Sequence, residues 1–390
     1  MSGYKLRPYQ QEAVDAGVSF LKGKAKYNGI EVLPTGSGKS LIIANIAREL
    51  GEPTIIFQPS KEILEQNYAK LISYGFYASI YSASKNRKQV SEITFATIGS
   101  VINKAELFRD FRYIIVDECH FVNPKAGMYN KFIREIEGAK VLGLTATPYR
   151  LTTDGFGGSI LKFLTRTRPR IFRELIYYVQ NSQLFQEGYL SKLQYTVQEG
   201  FDRSQVRLNS TGADYDERSM RRYYASVNFP GQIVQTIEEL LGRRRNILVF
   251  TRFIEESEYL VRQIPNSAIV TGETPKRERE RVIKGFRAGE IKVVCNVGVL
   301  TTGFDYPELE TIVLARPTMS LALYYQMIGR GIRPHPQKEY AEIVDLCGNV
   351  KLFGPVEKLK IQDGGNGKWF VSSGGRRLTN VYYGERRQVA

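Results

Sequence analysis

Pro34-Thr35-Gly36-Ser37-Gly38-Lys39-Ser40 is the stretch on which the reading of this chain turns. An apolar run, Ile30 to Leu33, precedes it; Leu41, Ile42, Ile46 and Leu50 follow at helical spacing. The segment therefore joins a buried strand to a helix packed on a parallel sheet. Gly36 and Gly38 let the backbone curl until its N–H groups and the helix N-terminus face one point, a geometry that receives a phosphate chain. There Thr35, Gly36, Ser37 and Gly38 line the loop, Lys39 pairs the outer phosphates and the Ser40 hydroxyl holds Mg²⁺. A full P-loop pattern has Gly where this chain has Leu33. A Gly/Ser turn that happens to contain a lysine is the plain alternative, and it leaves the strand–loop–helix setting unexplained.

Outward from this loop, apolar runs alternate with amphipathic stretches in the order of βα units. Thr54 to Phe57, Ile93 to Thr97, Tyr113 to Val116 and Val141 to Leu144 read as further buried strands. A second series starts near Pro230. Its strands are Ile247 to Phe250, Ala268 to Val270, Lys292 to Cys295, Ile312 to Leu314 and Ile343 to Val344. Its helices are Ile233 to Leu241, Glu255 to Ile264, Lys276 to Phe286 and Ser320 to Ile332. The expected fold class is α/β, with two halves at residues 1–150 and 230–350. Residues 151–229 read as a linker with a basic helical insert, and 351–390 as a tail carrying Trp369, Phe370, Arg376 and Arg377. Asp154 to Gly158 reads as a flexible turn. Arg166, Arg168, Arg170 and Arg173 would line one charged edge if their segment were extended.

Val116-Asp117-Glu118-Cys119-His120 closes a strand whose preceding residues, Ile114 and Ile115, are apolar. Adjacent acids are usually a solvated strand end, but these emerge from a buried strand. Asp117 at that end, near a phosphate loop, suits Mg²⁺, and Glu118 suits a base that orients an attacking water.

Composition sets the outer limits. The 390 residues are 42% hydrophobic and 24% charged, as in a globular protein with room for two cores. No apolar run approaches the roughly 20 residues of a spanning helix. Met1 to Pro8 has no apolar stretch to serve as a secretory signal, so the expected compartment is the cytoplasm. Cys119, Cys295 and Cys347 are scattered, with no CxxC pair, which argues against disulfides and structural zinc and for buried thiols. A net charge of +15, from 55 Lys+Arg against 40 Asp+Glu, draws polyanions: nucleic acid, or an acidic lipid surface.

Taken together, these motifs resemble the superfamily 2 helicases of the DExH type, and within them the bacterial RadD-like and type III restriction-subunit-like DNA motors. The resemblance runs from Leu6 to about Asp345. It implies two tandem RecA-like P-loop domains, with ATP and Mg²⁺ as cofactors. Leu6-Arg7-Pro8-Tyr9-Gln10 resembles the adenine-reading segment, giving Arg7 and Gln10 to the nucleotide. Ile56-Phe57-Gln58-Pro59-Ser60 and Thr97-Ile98-Gly99-Ser100 resemble backbone-contacting loops, through Pro59, Ser60, Thr97 and Ser100. Thr145-Ala146-Thr147 resembles the segment that couples hydrolysis to strand contact. Val249-Phe250-Thr251-Arg252 resembles another strand-contacting element, through Thr251 and Arg252. Leu300 to Asp305 resembles a loop bridging nucleic acid, at Thr301 and Thr302, to ribose, at Gly303 and Asp305. Gln326-Met327-Ile328-Gly329-Arg330-Gly331-Ile332-Arg333 completes the set. Gln326 and Arg330 are expected on one helix face, with Arg333 where the helix yields to Pro334. Catalysis would fall to Lys39, Asp117, Glu118, Gln326, Arg330 and Arg333.

The implied function is an ATP-dependent DNA helicase or translocase that holds the strand mainly by its backbone and serves repair, recombination or replication. DNA is favoured over RNA by the resemblance, not by the motifs. An RNA helicase, a motor subunit of a restriction or defence complex, and an ATP-gated nucleic-acid clamp are the alternatives. The motifs themselves are silent on polarity and on substrate structure.

Overall fold

The computed structural model describes residues 5–82, 87–125, 127–153, 159–198, 201–210, 212–300 and 305–381. They divide into two units. The first comprises Met1–Arg150, Lys162–Gln180 and Ile361–Val371, and the second Leu151–Leu161, Asn181–Lys360 and Ser372–Ala390.

The first unit contains β1 (Asn28–Val32), β2 (Thr54–Phe57), β3 (Ser79–Ser82), β4 (Arg87–Lys88), β5 (Ile93–Ala96), β6 (Tyr113–Asp117) and β7 (Lys140–Thr145). Two short strands follow, β8 (Tyr149–Thr153) and β9 (Ser159–Phe163), before β10 (Phe172–Tyr178) returns to the main sheet. The eight strands of that sheet run β10-β1-β7-β6-β2-β5-β3-β4. They are parallel except for the β3–β4 pair. Helices α1 (Pro8–Lys22), α2 (Lys39–Leu50), α3 (Lys61–Ser73), α4 (Ile98–Val101) and α5 (Met128–Glu135) alternate with them. Ile30, Ile55, Ile56, Ile114 and Ile115 are fully buried, as expected of strands covered on both faces. Each such side chain contributes roughly 1.5–3 kcal/mol of burial.

The second unit contains α6 (Asn181–Gln186), β11 (Lys192–Val197), α7 (Glu217–Ser226), α8 (Phe229–Leu241) and β12 (Ile247–Phe250). It continues with α9 (Ile254–Gln263), β13 (Ser267–Val270), α10 (Lys276–Ala288), β14 (Val293–Asn296), β15 (Thr311–Leu314), α11 (Leu321–Ile328), β16 (Tyr340–Asp345) and α12 (Asn349–Phe353). Its six strands run β11-β16-β15-β12-β14-β13, all parallel. From β12 the chain goes on to strands at one side of the sheet, and from β15 to strands at the other. The gap between β12 and β15 is thus a switch point, beyond whose carboxyl ends open parallel sheets bind ligands. Both units are the parallel α/β type expected of tandem RecA-like domains.

Two stretches depart from the sequence reading. Residues 151–229 do more than link: β10 pairs with β1 in the first sheet, and β11 pairs with β16 in the second. Arg166 ends a 3-10 turn, Leu164–Arg166, and only Arg173 lies in a strand, so the four arginines do not share one extended edge. The helix expected over Ser320 to Ile332 stops at Ile328, where Gly329 caps it and its N–H bonds the Tyr325 carbonyl at 2.9 Å. In the tail, Gln180 bonds the backbone of Ile361 in both directions, and Tyr178 meets Trp369 edge-on at 5.3 Å. The turn expected at Asp154 to Gly158 lies outside the described residues.

Candidate nucleotide site and nucleic-acid contacts

In the first unit, β1 delivers the chain to the loop of residues 33–38, and α2 begins at Lys39. Gly36 and Gly38 have φ of 82° and 85°, a left-handed backbone that favours glycine. A Cβ on Gly38 would stand 2.5 Å from Gln10 Nε2. That contact shows what α1 does: Gln10 Nε2 donates to the Ser37 carbonyl at 2.8 Å, and the Tyr9 hydroxyl donates to the same oxygen at 2.7 Å. Gln10 Oε1 in turn accepts from the Arg7 N–H at 3.0 Å. Gln10, assigned by resemblance to a base edge, has both amide atoms engaged with the protein and pins the loop. Leu33, where the pattern has Gly, is fully buried, and its N–H bonds the Thr145 carbonyl at 3.0 Å as an extension of β1.

Lys39 Nζ lies 3.4 Å from Glu118 Oε1, which brings the loop lysine to the acid at the end of β6. Glu118 has φ of 48°, an uncommon conformation for a non-glycine residue. Burial by itself would raise Glu118, but Lys39 and then His120 outweigh it and hold the carboxyl below its usual range. Asp117 moves the other way, raised to about 7, chiefly by burial and then by the charge of Glu118. The two neighbouring acids are thus differentiated: one stays ionised facing a lysine, and the other needs a further positive charge to ionise fully.

Ser40 and Asp117 are joined through a residue that no motif singled out. Ser40 Oγ donates to Asn67 Oδ1 at 2.7 Å, and Asn67 Nδ2 donates to Gln58 Oε1 at 2.7 Å and Asp117 Oδ2 at 3.3 Å. Asn67 lies on α3, shortly after Gln58-Pro59-Ser60, the segment expected to contact the strand. The only sequence signal for it is a polar residue seven positions beyond the helix N-cap Ser60, too weak to find alone. The buried Ser37 Oγ has no hydrogen-bond partner among the described residues. Two converging oxygens beside a glycine loop and a helix N-terminus fit a phosphate-bound Mg²⁺, which takes few protein ligands.

Beyond Glu118 the network reaches β7. His120 Nδ1 is 2.9 Å from Thr145 Oγ1 and 3.1 Å from Thr147 Oγ1, and 3.4 Å from Glu118 Oε2. Cys119 is fully buried against Gly143, where a Cβ would stand 2.6 Å from its Sγ. The thiol is accommodated because the facing residue has no side chain. All three cysteines are buried and free.

The expected strand contacts divide into two groups. Ser60 caps α3, accepting from Ile63 N at 3.3 Å, with Pro59 half-buried beside it. Thr97 and Ser100 share a hydroxyl contact of 2.9 Å at α4. In the second unit, Thr251 is fully buried, 2.6 Å from Ser257 Oγ, so its hydroxyl faces the interior. Arg252 is not free either: Nη1 is 3.0 Å from Asp214 Oδ2 and Nη2 3.6 Å from Glu217 Oε1. Thr301, Thr302 and Gly303 lie outside the described residues. Arg333 forms an ion pair with Asp305. Gln326 sits on α11, whereas Arg330 lies in the turn past its end, with Nε 3.4 Å from the Gln326 carbonyl. The shared helix face expected for this pair is replaced by a turn, because Gly329 ends the helix first. Among the described residues no helix is long and apolar enough to cross a membrane.

Comparison with known proteins gives two matched families. Residues 3–150 match the type III restriction enzyme res subunit, and residues 232–335 match the helicase conserved C-terminal domain. A 51.5 kDa protein of a Lactococcus phage (isolate 7-9) is 28% identical over 328 residues, covering 82% of this chain and 66% of that protein. The DNA 3'-5' helicase XPB of Kineococcus radiotolerans is 26% identical over 352 residues, covering 85% of this chain and 58% of that protein. The chain spans between about half and two thirds of the length of the curated relatives it matches. Among solved structures, the type ISP restriction-modification enzyme LlaBIII bound to DNA has a TM-score of 0.63 at 19% identity. The match covers 89% of this chain and 28% of that one, a likeness of fold.

Proposed function

We propose that this chain, which belongs to the superfamily 2 helicases and is similar to the type III restriction res subunit, hydrolyses ATP to move along or remodel DNA. The observation that carries the reading is the Lys39–Glu118 pair at 3.4 Å, set beside Ser40 and Asp117, which meet through Asn67. Lys39, the N-terminus of α2 and the loop N–H groups bind the β- and γ-phosphates. Mg²⁺, when bound, neutralises phosphate charge, and Ser40 and Asp117 are the residues that would hold it. Glu118, kept ionised by Lys39 and His120, orients the attacking water and accepts its proton. As the phosphates draw Lys39 away, Glu118 exchanges a cation for a water. His120, Thr145 and Thr147 hold Glu118 from the other side, and through them β7 registers the state of the nucleotide.

DNA is the substrate we assign, because the relatives named for a substrate include DNA helicases such as XPB. Binding through hydroxyls, amides and arginines on the strand backbone carries little sequence preference. The role is in DNA repair, recombination or replication, with the protein in the cytoplasm. The test is the ATPase rate of the wild-type chain and of Lys39→Ala against single-stranded, double-stranded and forked DNA and matching RNAs. DNA should stimulate turnover more than RNA, and Lys39→Ala should abolish it with the fold intact. Near-native turnover in a folded Lys39→Ala protein would overturn the site, and stimulation by RNA alone would overturn the substrate.

A further inference from the structure

Lys338 is a buried cation beyond the last of the sequence motifs, just before β16. The residue is 6% exposed, and its ammonium donates to two main-chain carbonyls, Pro307 at 2.7 Å and Gly331 at 2.9 Å. Burial pushes that ammonium down to about 8; Glu310 opposes the shift and Arg333 adds to it. A buried charge is costly unless its donors are bonded, and an apolar side chain of similar length would fill the space without that cost. What the ammonium adds is a tie between two loops of the second unit. Pro307 lies two residues past Asp305, and Gly331 lies between Arg330 and Arg333.

The turn that carries these arginines is held along its main chain. Gly331 N bonds Ile328 O at 2.9 Å, and the Ile332 carbonyl accepts from Ser191 N at 2.8 Å. Gly331 is pressed on the sheet: a Cβ there would stand 3.1 Å from Ile312 Cδ1 on β15 and 3.2 Å from Ala341 Cβ on β16. Lys338 is itself placed by a tight turn, with its N–H on the His335 carbonyl at 3.0 Å, and Arg245 Nη2 donates to the Gln337 carbonyl at 3.0 Å. Arg333 pairs with Asp305, so the side chains of Arg333 and Lys338 both cross to one loop. Arg330 and Arg333 themselves stay half-exposed.

We propose that Lys338 is a positioning residue for ATP hydrolysis, whose ammonium fixes the turn bearing Arg330 and Arg333 to the loop of residues 305–307. The proposal rests on the assignment of those two arginines to hydrolysis, and adds the residue that sets their main chain. A guanidinium stabilises the charge of a transferred phosphoryl group only where its donors meet the oxygens. A displacement of about 1 Å, caused at a distance from the chemistry, can cost about a hundredfold in rate. An ammonium suits the tie, because its three rotatable donors reach carbonyls that approach from different loops. The bond to Gly331 acts on the peptide next to Arg330, and the bond to Pro307 anchors it beside the partner of Arg333.

The experiment measures steady-state ATPase with saturating single-stranded DNA, and melting temperature, for the wild-type chain, Lys338→Met, Lys338→Gln and Tyr195→Phe. Lys338→Met keeps the stem and removes the donors; Lys338→Gln is one bond shorter, keeps an N–H donor for one carbonyl, and serves should the methionine variant not fold. Tyr195→Phe removes bonds to Glu357 and to Val356 N on β11's side of the same unit, so it reports what lost stability alone does to turnover. Lys338→Met should lower kcat about tenfold to a hundredfold with the KM for ATP within about twofold of wild type, and Lys338→Gln should fall between. Tyr195→Phe should lower the melting temperature and leave kcat near native. Arg330→Gln and Arg333→Gln are measured beside them. If both arginine variants hydrolyse ATP at the native rate, the arginines take no part in the reaction and the positioning role falls with that assignment. If an arginine variant is inactive while the folded Lys338 variants lose no more kcat than Tyr195→Phe, Lys338 only supports the fold and the proposal is overturned.

Discussion

Asn67→Ala isolates what α3 contributes to the nucleotide site. The substitution removes one hydrogen bond to a hydroxyl at 2.7 Å, one to an amide at 2.7 Å and one to a carboxylate at 3.3 Å. Neutral bonds contribute about 1 kcal/mol net and a bond to a charged group about 1.5–3 kcal/mol, with half-burial of Asn67 favouring the lower figures. Much of this acts on the fold, so unit stability should fall by about 1–2 kcal/mol. The remainder acts on the alignment of Ser40 with Asp117, and about 1.4 kcal/mol there is a tenfold loss of affinity. The assay is equilibrium binding of a fluorescent, non-hydrolysable ATP analogue in Mg²⁺ and in EDTA. Asn67→Ala should weaken binding about tenfold in Mg²⁺ and leave it nearly unchanged in EDTA. Asn67→Asp places a second carboxylate beside Asp117, so it should bind worse in EDTA and recover as Mg²⁺ rises. Equal losses with and without metal would mean that Asn67 only supports the fold, and no loss in either would refute the reasoning.

Gly38→Ala forces a left-handed residue, at about 1–2 kcal/mol, and drives a Cβ to within 2.5 Å of Gln10 Nε2. Nucleotide affinity should drop more than tenfold and the melting temperature should fall by a few degrees, about 2–4 °C per kcal/mol in a domain of this size, and a native dissociation constant would contradict the loop geometry. Glu342 on β16 is bonded by Arg243 Nη2 at 2.7 Å and Arg244 Nε at 2.9 Å. Burial tends to raise its pKa, but these bonds outweigh it and hold the folded value below the ordinary 4.5. A depressed folded pKa means a contribution present above the unfolded value and lost as pH falls through the folded one. Glu342→Gln should therefore be less stable at pH 7 by about 1.5–3 kcal/mol, the worth of a hydrogen bond to a charged group, with the gap closing in denaturant titrations as pH falls through the folded value. A gap independent of pH would show that the ion pairs contribute nothing.

The buried strands were legible in the sequence because a strand covered on both faces must be apolar throughout. Thr54–Phe57 and Ile247–Phe250 match their expected limits. The glycine loop before α2 and the acids at the end of β6 were legible for a related reason: a left-handed turn needs glycine at fixed offsets, and local backbone chemistry writes itself into consecutive residues. The strands β10, with Phe172-Arg173-Glu174, and β11, half exposed along its length, were not, since edge strands carry polar side chains and lose the apolar signature. The end of α11 at Ile328 was decided by Gly329, one residue whose effect depends on the turn that follows.

Contacts between distant residues were beyond the sequence altogether. Asn67 is separated from Asp117 by 50 positions, and Asp214 from Met319 by 105. Nothing in the neighbours of either marks the partner. Gln10 was expected at a base edge, and its amide also bonds the Ser37 carbonyl, because α1 packs against the loop there. Thr251 and Arg252 were placed on the strand path by resemblance, and only packing turned the threonine inward and paired the arginine. The sequence by itself determined the α/β class, the two parallel-sheet halves and the glycine loop that leads into α2, since each follows from periodicity or from bonds within a few residues. Tertiary structure alone decided which polar groups face one another, because that depends on how strands far apart in the chain align in one sheet.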